Sequence, residues 1–167
     1  MSNNFFTICS FFYSLMLTII YFKRKNIGSL ETKTYTAIIL TNLLNEICAI
    51  LCAILILHRN SFPMLNDIVG KTLLVCFITW EIFFTLYIVI VTRKNIDNFD
   101  IISGNKKYFL GTFYLILMSF IYYLPLYYHS ENNIVYSYGP SANMIYVLTA
   151  ILIVMWIVII LKNYSIL

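Results

Sequence analysis

Long uncharged apolar runs, separated by short charged segments, fill the chain from end to end. Each of the five longest runs is near the ~20 residues that an α-helix needs to cross a ~30 Å hydrocarbon core. The apolar residues are continuous rather than alternating, which favours helices over the strands of a membrane barrel. The pattern predicts an all-α polytopic transmembrane bundle, formed by residues 1–167 as a single membrane-embedded domain. Its predicted spans cover about residues 5–22, 35–57, 68–92, 108–128 and 143–161.

Basic residues are concentrated in the segments that follow the first, third and fifth runs. All but two of the eleven Lys and Arg residues lie there, and the exceptions are Arg59 and Lys71. Because cytoplasmic loops carry an excess of Lys and Arg, this predicts an N-terminus outside the cell and a cytoplasmic C-terminus. The first run has its basic cluster (Lys23, Arg24 and Lys25) after it, so we interpret it as an uncleaved anchor rather than a signal peptide. We therefore expect a multi-pass protein of the cell membrane.

The composition agrees with the bilayer as the main partner and excludes other classes. Apolar residues make up 61% of the chain and charged residues 11%, against about 45–50% and about 25% in ordinary globular chains. A chain with so few charged residues cannot form the polar surface that a soluble fold needs. A disordered chain would be poor in aromatic residues, whereas this chain is rich in them. The net charge of +4 is divided among separate clusters rather than spread over one basic face, so we predict no nucleic-acid partner.

Motifs for catalysis, cofactors or metals are missing from the sequence. It has no phosphate-binding loop, dinucleotide-binding glycine pattern, nucleophile elbow or helical His-Glu metal motif. Cys48 and Cys52 share a helix face, but no nearby His or third Cys completes a tetrahedral site, so they read as small buried residues. We predict no catalytic residue, no cofactor and no metal.

Two acids inside the apolar runs form the first candidate site. At 1.5 Å per residue, Glu46 lies roughly 16 Å and Glu81 roughly 18 Å from the predicted inner ends of their spans. Asn42 and Asn45 share a face with Glu46 and are in position to hydrogen-bond it. An intramembrane acid is a functional candidate, because a charge there costs at least ~2.5 kcal/mol. The alternative is structural: protonated acids whose hydrogen bonds hold two helices together.

The predicted outer segment from His129 to Asn143 is the second candidate site. Pro125 is expected to kink or end the fourth helix just before it, because proline lacks the N–H and clashes with the preceding turn. Connections of this length are often functional, and we interpret the segment as a sensing loop; the alternative is a plain connection anchored by interface tyrosines. A tight turn is predicted at residues 138–141. The candidate residues of the loop are His129, Glu131, Tyr136, Tyr138, Gly139 and Pro140.

Three stretches resemble the N-terminal multi-helix sensor region of membrane histidine kinases from low-GC Gram-positive bacteria. They are YFKRK at 21–25 with SLETKTY at 29–35, LND at 65–67 leading to TW at 79–80, and LPLYY at 124–128 with VYSYGPS at 135–141. The resemblance covers nearly the whole chain in order. It implies a module of about seven helices that passes a signal to a cytoplasmic kinase of a two-component system. Residues 1–167 lack the last helices, the phospho-accepting histidine and the nucleotide-binding boxes of such kinases.

We therefore expect signal reception by a helical bundle, as a fragment of a sensor histidine kinase without enzymatic activity in residues 1–167. The resemblance implies a possible homodimer, and the ligand is an unknown extracellular or membrane compound. The alternative is a free-standing small integral membrane protein, such as a transporter component or an immunity-like factor. A transporter would have paired broken helices or an inverted repeat, and neither is evident in the sequence.

Overall fold

The computed structural model describes residues 2–23, 29–58, 61–92, 105–131 and 134–162, which form five helices and one two-stranded hairpin. The helices are α1 (Ser2–Lys23), α2 (Leu30–Leu57), α3 (Pro63–Thr92), α4 (Asn105–Tyr123) and α5 (Pro140–Lys162). The strands are β1 (Tyr127–Glu131) and β2 (Ile134–Tyr138), which pair in antiparallel orientation.

Each predicted span contains a helix, and the helices have the character of a multi-pass membrane protein. By length and apolar composition, α1, α2, α3 and α5 can each cross a bilayer, and α4 contributes a shorter apolar stretch, Gly111–Tyr123. Many large apolar side chains point out of the bundle, including Met64 and Leu115. In water such a surface would be strongly unfavourable, whereas hydrocarbon solvates it. The coarse prediction of a helical membrane protein is therefore confirmed.

Local chemistry explains why two helices begin several residues before the apolar runs do. Ser29 is the N-cap of α2, and its side-chain oxygen accepts a hydrogen bond from the Thr32 N–H at 3.2 Å. A capping serine satisfies one of the free N–H groups of the first turn, so the helix extends into the polar residues before the span. Pro63 starts α3, where its missing N–H and fixed φ cost nothing.

The fourth helix ends earlier than predicted, at Tyr123 rather than near residue 128. Pro125 lies just beyond this end and cannot continue the helical hydrogen bonding, as expected from the sequence. The segment predicted as a sensing loop contains the β1–β2 hairpin, with Tyr127 paired to Tyr138 and Glu131 to Ile134. The tight turn predicted at 138–141 takes the form of a one-residue bend: Gly139, at φ 118°, links β2 to α5, which begins at Pro140.

Helix α3 lies at the centre of the bundle. It packs against α2, α4 and α5, whereas α1 packs against α2. Ile78, Ile121 and Ile145, one each from α3, α4 and α5, form the best-buried apolar cluster. We call the end where the hairpin lies the hairpin end. The opposite end, where α4 begins with Lys106 and Lys107 and α5 finishes at Lys162, is the basic end.

Candidate functional site

Polar side chains join α1 to α2 in a short antiparallel ladder. Ser10 Oγ donates to Glu46 Oε1 at 2.7 Å, and one turn further along α1 the Ser14 Oγ accepts from Asn42 Nδ2 at 3.0 Å. Each step of four residues forward in α1 is matched by a step of four backward in α2. The serines are small enough to let the helices approach closely while their hydroxyl groups bond to α2.

The second acid, Glu81, is only 1% exposed and bonds in another direction. Its Oε2 accepts a hydrogen bond from Thr149 Oγ1 of α5 at 3.0 Å. One turn along α3, the Thr85 hydroxyl donates to the Glu81 carbonyl and accepts from Trp156 Nε1 at 2.7 Å. Glu81, Thr85 and their two partners therefore form one hydrogen-bonded connection between α3 and α5.

Of the four polar residues predicted inside the spans, three are divided between two separate groups. Asn42 and Glu46 bond to α1, and Glu81 bonds to α5, and among the described residues no hydrogen bond joins the two carboxyl groups. The amide oxygen of Asn45 is buried without a hydrogen-bond partner in the described part of the chain. Each acid is engaged by a neutral hydroxyl group, which is compatible with a protonated carboxyl that both donates and accepts.

At the hairpin end, Lys71 connects α3 to the last turn of α4. Its ammonium group lies 2.9 Å from Asp67 Oδ2 and donates to the carbonyl oxygen of Tyr122 at 3.1 Å. The last carbonyl groups of a helix lack intrahelical partners and carry the negative end of the helix dipole. A buried lysine beside them satisfies both the hydrogen bond and the charge. Thr72 adds a hydrogen bond to the Tyr122 hydroxyl group at 2.9 Å.

Tyr128 of β1 fastens the hairpin to α3. Its hydroxyl group donates to the carbonyl oxygen of Asn66 at 3.1 Å. The ring end lies against Gly70, and a Cβ added at that glycine would overlap the Tyr128 hydroxyl oxygen. Gly70 is therefore required for the close approach rather than for backbone freedom. The amide oxygen of Asn66 is buried and has no partner among the described residues.

Burial and two nearby acidic groups set the protonation state of Tyr128. Burial, followed by the neighbouring Cys52 and Asp67 groups, raises the pKa of the Tyr128 phenol well above its usual range. The neutral phenol is therefore retained at all physiological pH values, so that the hydrogen bond to Asn66 is not weakened by ionisation.

The residues predicted for the outer segment lie in the hairpin and at its junction with α5. His129 pairs with Tyr136 across the two strands, and the rings of Tyr127 and Tyr138 are 5.5 Å apart between centroids. Gly139 approaches the Tyr127 ring and the Pro125 carbonyl. The described part of the segment is therefore a two-stranded hairpin that Tyr128 joins to α3.

Several contact residues were missed by sequence analysis. Lys71 was interpreted only as an exception to the distribution of basic residues. Its position four residues after Asp67 nevertheless predicts an i,i+4 ion pair on one face of a helix. Gly70 beside it is an isolated helical glycine, which often marks a close approach. Thr149 and Ser10 gave no signal, because small hydroxyl residues are common in membrane helices without pairing to an acid.

Thiol groups form a third buried cluster, between α2 and α3. Cys48, Cys52 and Cys76 are buried free thiols, and Cys76 lies within side-chain hydrogen-bonding reach of Cys48. In the described ranges, no group of three or more His, Cys, Asp or Glu side chains is arranged to hold a metal ion. We interpret the cysteines as packing residues at the interface between α2 and α3.

Comparisons with protein-family models, curated proteins and solved structures found no match to this chain. The candidate site is a chain of contacts that begins at the hairpin, passes through Tyr128 and Lys71 to α3 and α4, and reaches α5 at Glu81. These contacts connect the hairpin, α4 and α5 to the central helix α3.

Proposed function

We propose that residues 1–167 are the membrane signal-reception region of a sensor protein of the histidine-kinase type. The observation that carries the proposal is the double attachment of the hairpin. Tyr128 fastens it to α3, and Gly139 alone joins it to α5. A ligand that displaces the hairpin therefore acts on two helices at once, at the points where both begin.

The mechanism is a shift between two packings of α5 against α3. Near the middle of the bundle these helices are held by the Glu81–Thr149 and Thr85–Trp156 hydrogen bonds. Hydrogen bonds in apolar surroundings hold discrete positions, since a half-shifted helix leaves a buried polar group unpaired. A ligand moves the equilibrium by the difference between its affinities for the two packings. Helix α5 then carries the shift to Lys162 at the basic end.

The proposed orientation places the hairpin end outside the cell and the basic end in the cytoplasm. The distribution of Lys and Arg supports it, because all but two of the eleven lie at the basic end or in segments next to it. The resemblance to kinase sensor regions supports a homodimer with a cytoplasmic output. The proposal assigns reception, rather than catalysis, to residues 1–167.

Reading the genomic sequence past the codon for Leu167 tests the kinase assignment directly. We expect an open frame that continues into further helices and a dimerisation helix with a phospho-accepting histidine. A stop codon followed by an unrelated gene would refute the assignment. The chain would then be a free-standing membrane protein, such as a transporter component or an immunity-like factor.

The full-length protein allows a test of the two acids. In vesicles, the Glu46→Gln and Glu81→Gln double variant should insert normally, because Gln keeps an acceptor for Ser10 and Thr149. Autophosphorylation and its response to signal should change if a protonated acid takes part in the shift. A double variant with unchanged signalling would leave these acids with only a structural role.

A further inference from the structure

A half-open cavity of about 580 Å³ lies between α3, α4 and α5. Its volume falls within the ~300–1,000 Å³ of typical ligand sites. None of the described residues that line it is charged. Gly111 forms part of the wall, and a Cβ added there would meet no atom within 4 Å, so the glycine leaves open space inside the cavity.

The three hydroxyl groups in the lining are already engaged. Thr79 donates to the Val75 carbonyl, and the Tyr114 hydroxyl group bonds to Thr79 Oγ1 at 2.7 Å. The Thr85 hydroxyl donates to one partner and accepts from Trp156. A polar ligand would find few groups to compensate its desolvation, whereas a hydrocarbon chain requires none.

The position of the cavity along the helices matches one leaflet of a bilayer. Leu86 lies six residues before the end of α3, Gly111 six after the start of α4, and Met155 seven before the end of α5. At 1.5 Å per residue, all three are about 9–10 Å from the basic end. Thr79, the deepest lining residue on α3, is about 20 Å from it. One leaflet's acyl chains occupy about 15 Å, half of the hydrocarbon core.

The helix ends next to this leaflet carry positive charge. The first turn of α4 contains Lys106 and Lys107, and the last turn of α5 contains Lys162. A phospholipid whose acyl chain entered the cavity would therefore have its headgroup at the level of three lysines. Basic residues at membrane surfaces favour anionic lipids by about 1 kcal/mol each.

We propose that this cavity binds an acyl chain of an anionic phospholipid from the leaflet at the basic end. The chain fills the space between α3, α4 and α5, and the phosphate lies at the basic end, where the first turn of α4 and the last turn of α5 contain lysines. The proposal does not depend on the signalling role, since it follows from the cavity, its depth and the adjacent charge. It makes the packing of α4 against its neighbours dependent on lipid composition.

Tryptophan quenching by brominated lipids tests the proposal on the full chain in phosphatidylcholine vesicles. Trp156 bonds to a lining residue, and Trp80→Phe leaves it as the sole tryptophan, because the chain has two. Phosphatidylglycerol and phosphatidylcholine with identical brominated chains are compared as quenchers. We expect a relative association constant at least about fivefold in favour of phosphatidylglycerol, which corresponds to the contribution of about 1 kcal/mol from a single lysine. Equal quenching by the two lipids would overturn the proposal.

Two variants separate the cavity from general contact with lipid. Gly111→Leu should fill the cavity and reduce quenching of Trp156, whereas Gly111→Ala, the matched control, should leave it nearly unchanged. Replacing Lys106, Lys107 and Lys162 with Gln should bring the ratio of the association constants of phosphatidylglycerol and phosphatidylcholine close to one. Quenching that is the same in both Gly111 variants, or a preference that survives loss of the lysines, would refute the site. If Gly111→Leu fails to insert, the lysine variant decides alone.

Discussion

Gly70→Ala is the substitution that most directly tests how the hairpin is seated on α3. A Cβ at this position would overlap the Tyr128 hydroxyl oxygen and lie 3.1 Å from Leu126 Cδ2. The ring must therefore move, and the hydrogen bond that Tyr128 donates to Asn66 is lost. Gly111→Ala is the matched control, because it makes the same change in a helix where the new Cβ meets nothing.

The expected free energies follow from these contacts. Gly→Ala inside a helix stabilises by about 1 kcal/mol when the space is free, so Gly111→Ala should be stabilising. Loss of the Tyr128 hydrogen bond costs about 1 kcal/mol, and crowding adds about 1–3 kcal/mol. Gly70→Ala should therefore be less favourable than Gly111→Ala by about 2 kcal/mol or more. In a Tyr128→Phe background, where the overlapping oxygen is absent, that difference should shrink by at least about 1 kcal/mol.

Unfolding by sodium dodecyl sulfate in mixed micelles, followed by the fluorescence of Trp80 and Trp156, measures these differences. The four proteins of the double-mutant cycle and the Gly111 control are compared under identical conditions. Equal stability of the two alanine variants would refute the close approach. So would strictly additive effects of Gly70→Ala and Tyr128→Phe, because additivity means that the two residues do not interact.

Three further outcomes are expected. In a protein without its native cysteines, a cysteine introduced at exposed Ser61 should react with an impermeant thiol reagent on intact cells. A cysteine introduced at exposed Ser29 should react only after the cells are lysed. The opposite pattern would reverse the proposed orientation. Glu81→Leu should lower the free energy of unfolding by about 1–3 kcal/mol because the Thr149 hydroxyl loses its acceptor, and Glu81→Gln by less; equal losses in the same micelle assay would contradict this. The pKa of Tyr128 is raised in the folded state, so the unfolded chain loses the phenol proton at a lower pH than the folded chain does. The free energy of unfolding should therefore fall as pH rises above about 10, and it should fall less steeply in the Tyr128→Phe variant.

The helices could be predicted because their apolar runs are long enough to need no other signal. Which helices pack against each other could not be predicted, because lipid and the protein interior are both apolar. The lipid-facing and buried faces of a membrane helix therefore differ little in hydrophobicity. Glu81 was found because an acid is conspicuous in such a run. Its partner, Thr149, was not, because one threonine among many carries no mark of its neighbour.

The hairpin was missed for a different reason. Its tyrosines were interpreted as interface anchors, which is a common role for aromatic residues near span ends. The strand signal was nevertheless present: two short runs rich in aromatic and β-branched residues flank Asn132 and Asn133. Pro125 indicated that α4 ends close to it, although the predicted span continued to residue 128, and it carries no information about the structure that follows.

The sequence separation of the two acids from their partners has a consequence for biosynthesis. Ser10 precedes Glu46 by 36 residues, so the partner of Glu46 has already been made when that acid leaves the ribosome. Thr149 follows Glu81 by 68 residues. At a translation rate of about 5–20 residues per second, Thr149 is synthesised roughly 3–14 s after Glu81. During that interval α3 presents to the translocon or the lipid an acid that lacks its hydrogen bond from Thr149, so the pairing of α3 with α5 is a late step in the assembly of the bundle.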